Sequence, residues 1–308
     1  MNVLDRLLVE AVAQRLSAAP GLIEKDWHVT RALAVLAGHD HDGSMPAFGG
    51  GTSLSKGWGL IKRFSEDIDF KVAMPTRSSR SQVKKARSLY RDRVLGGLTA
   101  AGFVVGDDVL KRDESSFFSA ALFYPAVFDT GPGLRPHIRI EMSLNAATLP
   151  PIARPLGSLI ALAQNQPPEI AVFMCVDPVE TAADKLSALA WRVLARQRAS
   201  DNDDPTIVRH VHDLAALKPH VASSGDFRAL VGKAMADDTG RGGEATASAD
   251  PNTLFAGMLD RLGNDPLWAT EYQDYVDAVS FARPDERLDF GAALGAVRDL
   301  VALIKENS

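Results

Sequence analysis

The sequence predicts an α+β protein, with a mixed α/β domain over residues 1–175 followed by a helical domain over residues 176–308. Two observations place the strands in the first part. FFSAALFYP (117–125) and HIRIEMSL (137–144) are rich in aromatic and β-branched residues, and SEDIDFKVAM (65–74) alternates as a strand does. A third observation places the helices: beyond Asp177 the segments follow the three- and four-residue apolar spacing of helices.

The elements follow in order. Residues 4–17 and about 22–37 read as helices, the second carrying Glu24, Lys25, Asp26 and Trp27. A Gly/Asp/His turn at 38–44 leads to Pro46–Phe48 and the run Gly49–Gly51. Leu54–Ile61 is expected to be a short helix, and 65–74 a strand. A basic segment, about 78–100, reads as a helix broken near Gly102. The two aromatic strands follow, and the α/β region is expected to end near Pro150–Pro151. Asp177 as N-cap, Pro178 in the first turn and Glu180 at the capping-box position start a long helix that runs to about Arg198. SDNDDP (200–205) reads as a loop, TIVRHVHDLAALKPH (206–220) as a helix, and DDTGRGGEATASADPN (237–252) as a mobile connection. Helices near 253–262 and 290–305 close the chain.

Composition narrows the class. A chain that is 46% hydrophobic and 24% charged is globular, not disordered. There is no run of 18 apolar residues, which excludes a transmembrane helix. MNVLDRLLVEAVAQRL carries Asp5 and Glu10 and reads as an amphipathic helix, not a signal peptide. The single cysteine, Cys175, excludes an internal disulfide and a multi-cysteine zinc site, and a cytoplasmic location is expected. The net charge of −5 is unevenly spread: RSSRSQVKKARSLYRDR (77–93) holds seven basic residues and one acid, Asp92. Such a run is either a solvated helix face or a surface for nucleic-acid phosphates, where lysine and arginine displace counterions.

The chemistry concentrates in FGGGTSLSKGWGLIKRFSEDIDF (48–70). Residues i and i+2 of a strand share a face, so Asp67 and Asp69 project together while Ile68 and Phe70 pack behind them. Two adjacent carboxylates repel unless a cation lies between them, and magnesium favours such hard oxygen ligands together with substrate phosphates. Upstream, Gly49 to Gly51, with Gly50 and Gly51 as the nucleotide-binding candidates, let the backbone approach a ligand closely, and their amides can cradle a phosphate. Thr52 and Ser53 offer hydroxyl donors, and Lys56 and Arg63 add positive charge. The stretch is therefore suited to a metal–triphosphate. Glu141, within HIRIEMSL, is the candidate third carboxylate of a two-metal site, against the alternative of an ordinary solvent-facing strand residue.

GGGTSLSK followed by RFSEDIDF resembles the AbiEii/AbiGii abortive-infection toxins, bacterial nucleotidyltransferases whose mycobacterial relatives are called MenT. These belong to the DNA polymerase β-like superfamily, with its signature of Gly-Ser, a short helix and Asp-x-Asp. IEKDWHVTRAL (23–33) looks like the family's amino-terminal motif, and DKLSALAWR (184–192) and RHVHDLAAL (209–217) resemble its two later ones. The resemblance thus spans about residues 23–217, with four motifs in the family's order. It implies a polymerase-β-like domain with a mixed sheet, and a helical domain that contributes Lys185 and Asp213 to the cleft. Asp67 and Asp69 would bind magnesium (or manganese) with Glu141 as the third ligand, and Ser53 would contact the triphosphate. Lys185 would reach the nucleotide phosphates, supported by Asp213. From the residues alone, Lys185 reads as an exposed helix lysine and Asp213 as a partner for Arg209. The spacer of 13 residues between Ser53 and Asp67 is longer than in minimal polymerase-type enzymes. His210 and His212 replace the family's arginine or tyrosine, which leaves substrate details open.

The expected function is a magnesium-dependent nucleotidyltransferase toxin that moves a nucleoside monophosphate from an NTP to an acceptor hydroxyl. The resemblance points to the 3′ end of tRNA, with residues 77–93 and Arg192, Arg196 and Arg198 facing the RNA, and to an antitoxin encoded nearby that need not form a stable complex. The alternatives are a protein or small-molecule acceptor, or a nucleotide-binding regulator without catalysis.

Overall fold

The computed structural model describes residues 4–129, 135–201, 203–239, 241 and 250–305. Residues 242–249, most of the connection expected to be mobile, lie outside the described residues. The chain divides into two compact units, Met1–Asp177 and Pro178–Ser308.

In the first unit, α1 (Arg6–Leu16) starts at Asp5, whose carboxylate accepts from the Leu7 amide, and α2 (Pro20–Ala37) starts on a proline in its first turn. Then come β1 (Met45–Gly49), α3 (Gly50–Lys56), β2 (Asp67–Ala73) and α4 (Arg80–Ala100). Two short strands, β3 (Val104–Val105) and β4 (Leu110–Arg112), precede β5 (Phe117–Phe123) and β6 (Ile138–Ser143). The unit ends with β7 (Ile152–Leu156), α5 (Leu159–Ala163) and β8 (Ile170–Cys175).

The strands form one mixed sheet in the order β3-β5-β6-β2-β1-β8-β7, with β4 added to β5. β2 and β6 lie side by side in parallel, flanked by antiparallel β1 and β5. One face of this sheet is the core. Ile68, Phe70 and Val72 of β2 and Ile138, Ile140 and Met142 of β6 are all at most 3% exposed. They pack in one cluster with Val29, Leu33 and Leu36 of α2 and Tyr90, Val94 and Leu98 of α4. That burial fixes the register, because slipping either strand by one residue would turn its carboxylates into the core.

The structure corrects several expectations. The short helix begins at Gly50 rather than Leu54 and stops at Lys56 rather than Ile61. Gly50 adopts a positive φ of 68°, which turns the chain from strand into helix within one residue, and Gly57 caps the end. Pro46 hides β1 from a sequence reading, yet β1 pairs with β8 only at Phe48, so the missing N–H of Pro46 leaves no ladder bond unmade on that side. The α/β region does not end near Pro150, since β7 and β8 extend the same sheet to Cys175.

The second unit is helical: α6 (Pro178–Ala195), α7 (Arg209–Ala222), α8 (Phe227–Asp237), α9 (Pro251–Asn264), α10 (Leu267–Val279) and α11 (Phe290–Lys305). Helices α8 and α10 add to the two closing helices expected. α10 buries Trp268 and Tyr272, each at most 1% exposed. Arg196 stacks over Trp268 at 4.7 Å and pairs with Asp203 and Glu271, both at 2.6 Å. Arg198 pairs with Asp265 and Glu271. These two arginines are therefore structural ties within the helical unit, Arg196 buried and Arg198 partly exposed. Among the described residues no helix is long and apolar enough to cross a membrane.

Candidate active site

Strand alternation on β2 turns Asp67, Asp69 and Lys71 to the face opposite the core, and alternation on β6 does the same for Arg139, Glu141 and Ser143. The parallel register sets Asp69 directly beside Glu141 and Asp67 beside Arg139. On the other side of β2, Asp69 faces Gly49. The three predicted carboxylates thus share one sheet face, and all three are partly exposed.

The glycine turn folds over this face. A Cβ added at Gly50 would overlap the Asp69 carboxylate, and its positive φ disfavours any other residue. At Gly51 a Cβ would come within 2.7 Å of Arg63 Nη2 and 2.8 Å of Ser65 Oγ. Gly50 is required by close packing against the strand that carries the acids, and Gly51 packs against side chains of the segment just before it.

The hydroxyls and cations of the stretch are held inside. The Thr52 hydroxyl donates to the Asp67 carbonyl oxygen, tying the start of α3 to the start of β2. Ser53 is 1% exposed, and its Oγ is buried near the Cys175 thiol without a hydrogen-bond partner. Arg63 is buried and donates to the Phe64 carbonyl at 2.8 Å. Lys56 Nζ pairs with Asp26 at 2.6 Å and donates to Thr30 Oγ1 at 2.9 Å and to the Gly157 carbonyl at 3.2 Å.

Three consecutive charged residues on α2 organise what surrounds the acids. The Glu24 carboxylate accepts from the Val127 and Phe128 amides at 2.8 and 2.9 Å. Lys25 Nζ pairs with Glu66, the residue before Asp67, and donates to the Arg135 carbonyl at 2.7 Å. Asp26 takes Lys56 on one oxygen and the Leu159 amide on the other, at 2.7 Å. Glu24 and Lys25 are each 2% exposed, so each buried charge is matched by partners that satisfy it. Burial pushes the Lys25 pKa below its ordinary value, against the opposing pull of Glu66.

Arg135 has no place in the sequence expectations. Its Nη1 donates to Asp67 Oδ1 at 2.6 Å and lies 3.4 Å from Glu66. Burial works against its charge, but Asp67 and then Glu66 outweigh that and hold its pKa up. Its neighbour Pro136 and its position two residues before the HIRIEMSL segment carry no spacing signal. The buried side chain of Lys25 did leave a trace, since it falls on the face of α2 shared with Leu22 and Val29.

The donor set of Asp67, Asp69 and Glu141 is all carboxylate oxygen, which suits a hard divalent cation. Among the described residues, no three Asp, Glu, His or Cys side chains converge closely enough to hold an ion in their present rotamers. Asp67 is already engaged by the Arg135 guanidinium, a cation in its own right.

In the helical unit, Lys185 Nζ on α6 pairs with Asp213 Oδ2 on α7 at 2.8 Å. Asp213 is fully buried, and Lys185 is 8% exposed. Arg209 reaches Thr206 at 2.7 Å and Asp204 at 3.9 Å. His212 Nδ1 lies 3.3 Å from the other Asp213 oxygen. His210 is buried with both ring nitrogens unpartnered. Burial and then Lys185 drive its pKa well below the ordinary value, so it is neutral.

Comparison with known proteins gives a family and a similar solved structure. Residues 31–296 match the model of the nucleotidyl transferase AbiEii toxin family of type IV toxin–antitoxin systems. No curated protein matches. The fold is similar to that of MenT4, a nucleotidyltransferase toxin of Mycobacterium tuberculosis, with a TM-score of 0.55 and 19% identity over 99% of this chain and 91% of that one. With a family model covering most of its length, this chain belongs to the AbiEii family of nucleotidyltransferase toxins of type IV toxin–antitoxin systems.

Proposed function

We propose that this protein transfers a nucleoside monophosphate from an NTP to the 3′-terminal hydroxyl of tRNA. The observation that carries this reading is the shared sheet face of Asp67, Asp69 and Glu141, with Asp69 in register beside Glu141 and under Gly50. These three carboxylates would hold magnesium, or manganese in its place. When bound, such an ion supplies positive charge to the phosphates and to the reacting oxygen.

The chain's own groups then do the following. The turn at Gly50–Gly51 brings backbone close to the acids, with Gly50 packed against Asp69, and its amides would be the groups offered to a triphosphate. Lys56 and Arg63 serve the nucleotide indirectly: Lys56 through Asp26 and Arg63 through Gly51 hold the turn in place. Ser53, assigned to the triphosphate, lies buried in the same turn. Lys185, held by Asp213, is assigned to the nucleotide phosphates. The acceptor oxygen attacks the α-phosphorus, the bond from that phosphorus to the bridging oxygen of the β-phosphate breaks, and pyrophosphate leaves with the electron pair. The acceptor's proton passes to a carboxylate or to water.

A polyanionic acceptor agrees with the basic surface of the first unit. Arg77, Lys84, Lys85 and Arg93 are exposed, and Arg77, Lys85 and Arg93 line a cavity of about 440 Å³ beside Met74 and Tyr90. The protein would act in the cytoplasm, restrained by an antitoxin encoded nearby without a need for a stable complex.

The test incubates purified protein with total tRNA, magnesium and each labelled NTP in turn, beside Asp67→Ala and Asp69→Ala variants. Label on tRNA that requires both aspartates is the expected result and identifies the nucleotide. No label on RNA from a preparation that still binds NTP overturns the tRNA assignment in favour of a protein or small-molecule acceptor, or of a regulator.

A further inference from the structure

Arg135 is rooted at its backbone and partly exposed at its tip. Its backbone is clamped, with the amide donating to Glu66 at 3.1 Å and the carbonyl accepting from buried Lys25 at 2.7 Å. Its side chain is 33% exposed, and its tip is the contact to Asp67 Oδ1. Glu66 has a cation of its own in Lys25, so the charge that Arg135 brings is matched chiefly by Asp67. Asp67 shares its sheet face with Asp69 and Glu141 and with the cations Lys71 and Arg139, the latter 4.0 Å from Glu141, and Arg135 is the cation in direct contact with Asp67.

We propose that Arg135 is a place-holding cation: it neutralises Asp67 in the ligand-free protein, yields that carboxylate to the metal, and then turns its guanidinium to a phosphate oxygen of the incoming triphosphate. The inference rests on the reading of Asp67, Asp69 and Glu141 as metal ligands. A guanidinium suits both partners, because its planar fork pairs with carboxylate and phosphate alike. The clamp on its backbone keeps the arm anchored while the exposed tip exchanges partners. Nothing in the exchange needs the strands to move, since Asp67 is held through its carbonyl by Thr52 and only side chains rotate.

Arg135→Ala and Arg135→Lys decide the matter by binding alone. Mn²⁺ is titrated into nucleotide-free protein and followed calorimetrically and by the loss of the free-ion EPR signal. The imido analogue of the preferred NTP is titrated separately at saturating Mn²⁺, and circular dichroism checks the fold of each variant. Arg135→Ala is expected to bind Mn²⁺ about 5- to 10-fold more tightly, because no ion pair has to be broken, and the analogue about 5- to 10-fold more weakly. Arg135→Lys, which keeps the charge without the fork, should fall between. The proposal requires both shifts in opposite directions. Unchanged or weaker Mn²⁺ binding in both folded variants, or unchanged analogue binding, overturns it and leaves Arg135 a fixed structural partner. Wild-type protein that binds no Mn²⁺ removes the metal reading of the carboxylates themselves, a failure distinct from that of Arg135 alone.

Discussion

The acids of the sheet unit and the ion pair of the helical unit show two ways of keeping charge in a folded chain. On β2 and β6 the carboxylates are spaced by strand alternation, share one face and stay partly exposed; the cation on Asp67 comes from a remote segment on an arm that is itself exposed. Between α6 and α7, Lys185 meets a fully buried Asp213, and only the lysine keeps a small exposure, at 8%. The first arrangement is partly solvated, which lowers the cost of exchanging partners. The second cannot lose a member without stranding a charge in the core. Groups of the same chemistry therefore have different sensitivities, and mutation separates them.

The largest expected difference lies in stability. Asp213→Ala leaves the Lys185 ammonium buried and should lower the unfolding free energy by about 3–5 kcal/mol. Asp69→Ala removes one of several like charges and should change stability by no more than about 0.5 kcal/mol, while abolishing nucleotide transfer. Urea denaturation of the two variants alongside a transfer assay checks this. Equal losses of stability would erase the distinction drawn above.

A smaller effect sharpens the comparison through pH. His28, stacked on Tyr124 at 4.0 Å in the sheet unit, has its pKa lowered to about 3, chiefly by burial and then by Arg31. Below its ordinary pKa of 6.5 the unfolded chain takes up a proton that the folded state refuses, so stability is full above that value and falls as pH drops toward 3. The loss is about 1.4 kcal/mol per pH unit for this residue. His28→Phe should remove that share of the acid sensitivity and leave the share due to His210. Urea midpoints at about pH 7, 6 and 5 measure the slope.

The smallest effect belongs to the exposed cations of α4. Lys84→Ala and Lys85→Ala should leave stability within about 0.5 kcal/mol, because neither side chain is buried. Each should reduce the dependence of tRNA affinity on log salt by about one unit, as measured by filter binding across salt concentrations. An unchanged slope would mean that α4 is a solvated face.

Much of this was legible before any coordinates. The i, i+2 rule put Asp67 and Asp69 on one face because a strand with Ile68 and Phe70 behind them has only one way to turn. The glycines announced a close approach of backbone to the acids, and the structure supplies it at Gly50. What periodicity missed were elements whose local signals conflict, such as β1 with Pro46, and the early start of α3 at a residue with poor helix propensity. It also missed the buried charge of Glu24, because whether Glu24 is solvated depends on which segments pass over it.

By itself the sequence determined the α+β class, the family and the identity of two acids on one strand face, since each rests on neighbours within a few residues. Only the tertiary structure decided that Asp69 lies in register beside Glu141, that Arg135 reaches Asp67, and that Lys185 pairs with Asp213. Those outcomes depend on which strands become neighbours and where distant segments cross, and a linear pattern of hydrophobicity holds no record of either.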